Sequence, residues 1–173
     1  MNLNYFIDRF SRNRQVFTGL VGNIAPDQAK WKPEPDKWAI LEVVNHLYDE
    51  EREDFRQRLE LVFADPAQPW PSIDPRGWVA SRNYIGRALD ESLENFLAER
   101  EKSLSWLRQL SNPKWDNSNE GPNGILSAGD LLASWLAHDF LHIRQITRLE
   151  WQYVGSISQP YQTTYAGPWK ESQ

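Results

Sequence analysis

Apolar residues recur every three or four positions over four stretches of the chain, the spacing that places them on one face of an α-helix. The first stretch covers residues 3–21 and ends at a Gly-Asn pair, a common helix terminator. The second covers about residues 38–64, the third 90–110 and the last 129–151. The pattern therefore predicts four long amphipathic helices.

The connections between these helices differ in length. Residues 22–37 contain three prolines, which cannot continue a helix. Residues 65–78 contain four more and exceed the usual helix-to-helix connection of about 2–8 residues. We interpret this second connection as an overhand crossover along the bundle, held in place by Trp70 and Trp78.

The third connection, residues 111–126, is polar and interrupted by glycine and proline, which predicts a loop. Ser127 follows, with Asp130 three residues later, and this pair is close to a capping box at the start of the last helix. Beyond residue 151 the chain shows neither helical nor strand periodicity. We expect the aromatic residues of this tail to pack onto the bundle or onto a second subunit.

Together these elements predict an all-α protein, a single four-helix bundle with a long overhand crossover between helices 2 and 3. A chain of 173 residues has the length of one domain. We therefore expect one domain over residues 1–173, with its core at about 3–151 and an irregular aromatic tail at 152–173.

The charge of the chain narrows the choice of partners. A formal net charge of −5 argues against nucleic-acid binding, which needs a basic face. The sequence contains no run of 18 apolar residues, the length that would predict a membrane span. Its first residues have the pattern of an amphipathic helix rather than of a signal peptide. We expect a cytoplasmic protein with a small-molecule substrate. The chain has no cysteine, which excludes disulfides and cysteine-bound zinc.

The last helix carries polar residues where its apolar stripe should continue, at His138, His142 and Gln145. Each would cost about 1–3 kcal/mol if buried without a partner. The two histidines are one turn apart, which lets both imidazoles reach one ion. The only other histidine, His46, lies in the second helix, and we predict a three-histidine metal site between the two helices. Histidines that hydrogen-bond to each other in an ordinary helical core are the alternative.

His46 falls at the margin of the apolar face of its predicted helix, a position that fits a site open to solvent. Asp49 and Glu50 are close enough along the helix to orient a ligand or to act as a general base. Simple hydration of both carboxylates is the alternative. Gln145 lies one turn beyond His142 and could orient a ligand or a bound water, with helix packing as an equal alternative.

One carboxylate and one guanidinium fall within apolar stripes. Glu51 projects near the centre of the apolar face of the second helix, and Arg100 lies in the stripe of the third. Leaving either charge alone in the core would cost several kcal/mol. We therefore predict an architectural ion pair between Glu51 and Arg100 that sets the register of the two helices.

Short motifs extend this picture. W-K-P and D-K-W-A-I occupy residues 31–40, and H-L-Y-D-E-E follows at 46–51. F-x3-R lies at residues 96–100 and G-I-L-S at 124–127, before the H-x3-H-x2-Q motif of residues 138–145. In this order and spacing the motifs resemble the DinB/YfiT-like superfamily of candidate metalloenzymes.

The resemblance implies a bundle with a long crossover and a divalent metal bound by His46, His138 and His142. It also implies a homodimer, because many members are dimers. Better-understood relatives act on low-molecular-weight thiols, as S-transferases or thiol-dependent isomerases. Asp36 and Ala39 stand where that family usually has glycine and serine, so the start of the second helix is expected to differ.

Three neutral imidazoles are the ligand set of an open catalytic zinc site, and nickel or ferrous iron also accepts them. Such an ion lowers the pKa of bound water to about 7 or binds a substrate thiol as its thiolate. We therefore predict a divalent-metal-dependent enzyme, either a small-thiol S-transferase or a small-molecule hydrolase, with a low-molecular-weight thiol as candidate co-substrate. The alternative is a non-catalytic, stress-associated helical interaction or scaffold protein with a vestigial or structural metal site.

Overall fold

The computed structural model describes residues 1–121 and 124–170. The long helices are α1, Leu3–Val21; α3, Ile40–Glu50, which continues through a π-helical turn, Glu51–Phe55, into α4, Arg56–Ala64; α6, Leu89–Gln109; and α7, Ala128–Ile157. Short helices are α2, Pro26–Lys30, and α5, Pro75–Ser81, with 3-10 turns at Tyr84–Gly86 and Thr164–Ala166. Two strands, β1, Ser118–Gly121, and β2, Gly124–Ser127, pair antiparallel.

The apolar core consists of two clusters, one at each half of the bundle. One contains Phe17, Leu47 and Phe96, and the other contains Phe10 and Leu104. Along α1 and α7, the residues of the Phe10–Leu104 cluster come before those of the Phe17–Leu47–Phe96 cluster in the sequence. Along α3–α4 and α6 the order is reversed. The second and third long helices therefore run in the same direction, which requires the chain to travel back along the bundle between them. This arrangement confirms the predicted four-helix bundle with its long crossover.

A polar layer lies where the two clusters meet. Each long helix contributes one buried polar side chain at this level: Asn13, Glu51, Arg100 and Asp139. Each of these residues lies three or four positions from an apolar residue of each cluster, so all point inward at helical spacing. The bundle is therefore joined at its centre by charge and hydrogen bonds rather than by a continuous apolar core.

The crossover covers the outer side of α3. Arg82 approaches the Asp49 carboxylate at 2.7 Å, and the Tyr84 hydroxyl donates a hydrogen bond to the same carboxylate. Arg87 donates to the side-chain oxygen of Asn45 at 2.7 Å. This cover explains why α3 is buried nearly all round, although an amphipathic helix on a bundle surface normally leaves one face in water.

The second long helix begins at Ile40 with no side-chain cap; instead, the Glu42 carboxylate accepts the backbone N–H of Ala39 at 2.7 Å. Two local expectations differ from the structure. The last helix continues to Ile157, so the irregular tail begins six residues later than expected. The third connection, expected to be a loop, contains the paired strands β1 and β2, and Asn119 of β1 donates to the Pro66 carbonyl at the start of the crossover at 2.7 Å.

The capping box at the start of the last helix is confirmed. The Ser127 hydroxyl accepts the backbone N–H of Asp130 at 3.0 Å, and the Asp130 carboxylate accepts the backbone N–H of Ser127 at 3.0 Å. Among the described residues, none of the helices combines the length and the hydropathy needed to span a bilayer.

Replacing Arg100 by Met should lower the free energy of unfolding by about 3–5 kcal/mol, because Glu51 and Asp139 would stay buried without their cation. Urea unfolding followed by circular dichroism measures the change. Arg108→Met is the matched control on the same helix, since its side chain is 47% exposed; it should shift stability by less than about 0.5 kcal/mol.

A second comparison separates the charge effect from lost packing. Adding Glu51→Gln and Asp139→Asn to Arg100→Met removes the uncompensated charges at similar volume. This triple variant should regain a substantial part of the lost stability. If the triple variant is no more stable than Arg100→Met alone, the stability lost in Arg100→Met does not come from the unpaired charges of Glu51 and Asp139.

Candidate metal centre

The three histidines of the chain converge on one point between α3 and α7. The Nε2 atoms of His46 and His138 are 3.3 Å apart, and those of His138 and His142 are 3.0 Å apart. One ligand atom from each residue lies within 4.8 Å of the others. His138 and His142 face the same side because they are one helical turn apart, and His46 is brought to them by the packing of α3.

Aromatic rings contact two of the three imidazoles. The ring of Trp38 contacts His46 edge-on with centroids 4.9 Å apart, and Phe55 lies 5.1 Å from His138. Phe55 in turn stacks on Trp135. His46 is only 6% exposed, so this side chain is buried rather than exposed at the margin of the core. Trp38 supplies cover that an isolated helix would lack.

Burial keeps the imidazoles neutral. Loss of hydration, with a further contribution from His142, lowers the pKa of His46 to about 3. The same two causes, with His46 and Arg100 adding to them, lower the pKa of His138 to about 2. Burial also lowers the pKa of His142, against the opposing effect of its hydrogen bond to Gln145. At neutral pH each ring therefore has a nitrogen lone pair available, the state that metal binding requires.

Gln145 sets the tautomer of His142. The Nδ1 atom of His142 lies 2.8 Å from the Gln145 side-chain oxygen, which can only accept a hydrogen bond. The proton of the neutral ring is therefore on Nδ1, and the Nε2 lone pair points at the other two imidazoles. A hydrogen bond of this kind commonly orients metal-binding histidines. The orienting role suggested for Gln145 is the role its contact supports.

The residues present are suited to a divalent metal. Zinc–nitrogen bonds of about 2.0–2.1 Å in a tetrahedral site place ligand nitrogens roughly 3.3 Å apart, close to the two Nε2 separations here. Within residues 1–121 and 124–170 the cluster contains three histidines and no fourth His, Cys, Asp or Glu. The Nδ1 atom of His46 is buried without a hydrogen-bond partner among the described residues.

The sequence model of the DinB superfamily matches residues 9–146, most of the chain. The chain belongs to the DinB superfamily. Among solved structures, its fold is similar to that of YfiT from Bacillus subtilis, described as a probable metal-dependent hydrolase with an unusual four-helix bundle topology. The TM-score is 0.78 at 18% identity, covering 87% of each chain, which shows the fold. No curated protein matches the sequence.

Two carboxylates that sequence reasoning assigned to this DinB site lie elsewhere. Asp49 binds the crossover residues Arg82 and Tyr84. Burial, and then the carboxylate of Asp54, raises the pKa of Glu50 to about 8. Among the described residues, neither carboxylate hydrogen-bonds to a histidine. Both were expected near the site because they follow His46 closely in sequence, but Asp49 binds the crossover and Glu50 lies beside Asp54.

The ion pair between Glu51 and Arg100 is present in this DinB chain and is larger than expected. The guanidinium donates to Glu51 at 2.7 and 2.8 Å and to Asp139 at 2.7 and 2.8 Å. Burial opposes the charge, but the two carboxylates raise the pKa of Arg100 above its ordinary value. Asn13 and the Trp135 ring N–H complete the network with hydrogen bonds of 3.0 Å to Asp139 and Glu51.

Sequence reasoning missed Asp139, although a signal was present. It lies at helical spacing between Leu136 and Ile143, in a second apolar stripe beside the one that carries the histidines. A lone charge in such a stripe predicts a buried partner. Because Asp139 directly follows His138, the network that joins the four helices also anchors the backbone of the histidine helix.

The metal-free DinB protein should lose stability as the pH falls below about 6.5, the pKa of an unfolded histidine. The folded values of about 3 for His46 and about 2 for His138 mean that the unfolded chain binds more protons over this range. Each histidine should contribute up to about 1.4 kcal/mol per pH unit.

Urea unfolding from pH 7.5 to 4.5 is measured for chelator-treated wild type and His138→Gln. The difference isolates the contribution of His138 to the pH dependence of stability, because the two proteins share all other titrating groups. The wild type should lose its stability relative to the variant by roughly 2–3 kcal/mol between pH 6.5 and 4.5. A pH-independent difference would show that His138 takes up a proton in the folded protein as readily as in the unfolded chain.

Proposed function

We propose that this DinB-superfamily protein is a divalent-metal-dependent enzyme acting on small molecules, with His46, His138 and His142 as metal ligands. The observation that carries the proposal is the convergence of three neutral imidazoles without a fourth protein ligand among the described residues. Three protein ligands with an open position are typical of catalytic zinc sites, whereas structural sites are closed by four.

A divalent ion there would supply Lewis acidity, which activates a substrate thiol or a water molecule at neutral pH. The chain's own contribution is the surroundings. Gln145 keeps the proton of His142 on Nδ1, away from the centre of the cluster. Trp38 and Phe55 restrict water around the imidazoles, which strengthens electrostatic interactions inside the site.

The first candidate reaction is the transfer of a small thiol to an electrophile. The chain has no cysteine, so a sulfur nucleophile would have to arrive with the substrate. Asp49 and Glu50, the carboxylates nearest in sequence, are engaged with the crossover and with Asp54 and are not placed as a general base. A thiol, with a pKa near 8.5, ionises far more readily than water and needs less help from a base.

Hydrolysis of a small molecule is the second candidate. It is supported by the similarity of the fold to YfiT, a probable metal-dependent hydrolase. Both reactions require the same three histidines and differ in whether a thiol or a water molecule is the nucleophile. A non-catalytic scaffold with a structural metal is disfavoured by the lack of a fourth ligand among the described residues.

Protein purified without chelator or metal-binding tag should contain about one equivalent of divalent metal. His142→Ala should lose it, and Leu141→Ala, a change at the neighbouring exposed side chain, should retain it. Chelation should destabilise wild type, since metal at 100 times its Kd adds about 2.7 kcal/mol of stability. Elemental analysis and thermal unfolding measure these effects. Metal-free wild type that gains no stability from added Zn²⁺, Ni²⁺ or Fe²⁺ would refute the proposal.

Replacing the metal with Co²⁺ tests whether the site is catalytic. An open position should let an added small thiol alter the visible absorption spectrum of the bound cobalt. A closed structural site would leave that spectrum unchanged at every thiol concentration. Incubation of the metal-loaded protein with a thiol and an activated electrophile, beside a chromogenic ester without thiol, then distinguishes transfer from hydrolysis.

A further inference from the structure

Three cavities lie around Gln145 beside the candidate metal centre, a region we call the mouth of the site; none of the three histidines lines them. Their volumes are about 150, 260 and 560 Å³, and all three are lined by Gln145, which hydrogen-bonds to His142. Two of them also share Trp38, whose ring contacts His46. A molecule in these cavities is therefore separated from the imidazoles by the side chains of Trp38 and Gln145.

The charge of this mouth is opposite to that of the whole chain. Although the net charge is −5, the lining contains four cationic side chains, Lys37, Arg76, Arg144 and Arg148, and two carboxylates, Glu34 and Asp36. Both carboxylates already form ion pairs with Lys37, at 3.8 and 3.1 Å. The lining therefore holds more cationic than anionic side chains, and Arg76 and Arg144 lie outside these two pairs.

Two of the arginines come from different helices and line neighbouring cavities that share Gln145. Arg76 is on α5 in the crossover and lines the largest of the three cavities, and Arg144 is on α7 and lines the cavity that also contains Trp169. Both side chains are exposed, and within residues 1–121 and 124–170 neither forms an ion pair. Guanidinium groups bind carboxylate and phosphate oxygens through paired hydrogen bonds.

Aromatic rings form the walls between these charges. Trp38 is half-buried between the cavities and His46. Trp169, from the tail, packs on Trp151 of α7 with ring centroids 5.9 Å apart and lines the same cavity as Arg144. Apolar walls with a few cationic groups are typical of sites for small organic anions.

We propose that the mouth of this site selects a small organic anion, with Arg76 and Arg144 binding its carboxylate or phosphate group and Trp38 and Trp169 its apolar part. This inference rests on the proposed function for the identity of the reacting site, but the anion preference itself belongs to the cleft. The substrate class is therefore an anionic small molecule, and under the thiol-transfer reaction an anionic thiol.

Calorimetric titration with two thiols of similar size tests the preference: mercaptosuccinate, a dianion, and 1-thioglycerol, which is neutral. Wild type should bind the dianion at least about tenfold more tightly, and added salt should reduce that advantage. Arg76→Gln and Arg144→Gln should each weaken mercaptosuccinate binding by about three- to tenfold and leave thioglycerol unchanged. Arg108→Gln makes the same change in net charge far from the cleft and should alter neither affinity.

Each titration is made with metal-free and with Zn²⁺-loaded protein, which separates the two proposals. The anion site is supported if wild type prefers the dianion and both arginine variants abolish that preference, whether the protein is metal-free or Zn²⁺-loaded. Equal affinity for the two thiols in both arms, or a preference that Arg108→Gln abolishes equally, overturns it. Failure of the proposed function is a different result: none of Zn²⁺, Ni²⁺ and Fe²⁺ binds or raises the affinity for either thiol, whatever the anion preference.

Discussion

The bundle depends on the ion pairs that the guanidinium of Arg100 forms with two carboxylates. The guanidinium is buried at the centre of the protein, where it binds Glu51 of the π-helical turn and Asp139 of α7, while Asn13 of α1 donates to the same aspartate. Every long helix therefore has at least one side chain in a single network. A buried charge of this kind tolerates little displacement, because any shift leaves an ionised group without its partner. The polar layer thus determines how far each helix can slide past its neighbours.

That constraint extends directly to the candidate metal centre. Asp139 is the residue after His138, and Glu51 accepts a hydrogen bond from Trp135, which stacks on Phe55, the ring beside His138. Helix α7, which carries His138 and His142, is therefore held in place by the ion pair of Asp139 and by the aromatic packing of Trp135. A site that binds a metal with bond lengths defined to about 0.2 Å needs such support, since three ligands from two helices must keep their spacing.

The parallel course of the second and third long helices has a second consequence. The crossover that joins them returns along the bundle, covers α3 and binds Asp49, while Glu50 is buried beside Asp54. Among the described residues, neither carboxylate hydrogen-bonds to a histidine. Burial and Asp54 raise the pKa of Glu50 to about 8, and desolvation raises that of Asp54 as well. Asp49 thus holds the crossover, while the mouth of the site is lined by Trp38, Gln145 and the arginines of α5 and α7. An acidic protein thereby presents a locally cationic entrance.

The sequence by itself determined whatever depends on local spacing. The helical period of the apolar residues predicted the four helices, the proline-rich stretch predicted the crossover, and the spacing of His138 and His142 placed both rings on one face. Glu51 and Arg100 were predicted as partners because each is a charge within an apolar stripe, a conflict that a sequence shows directly. Only the tertiary structure decided which residues the other elements cover. The burial of His46, the membership of Asp139 in the polar layer and the diversion of Asp49 to the crossover depend on contacts between segments far apart in the chain, and no local period encodes them.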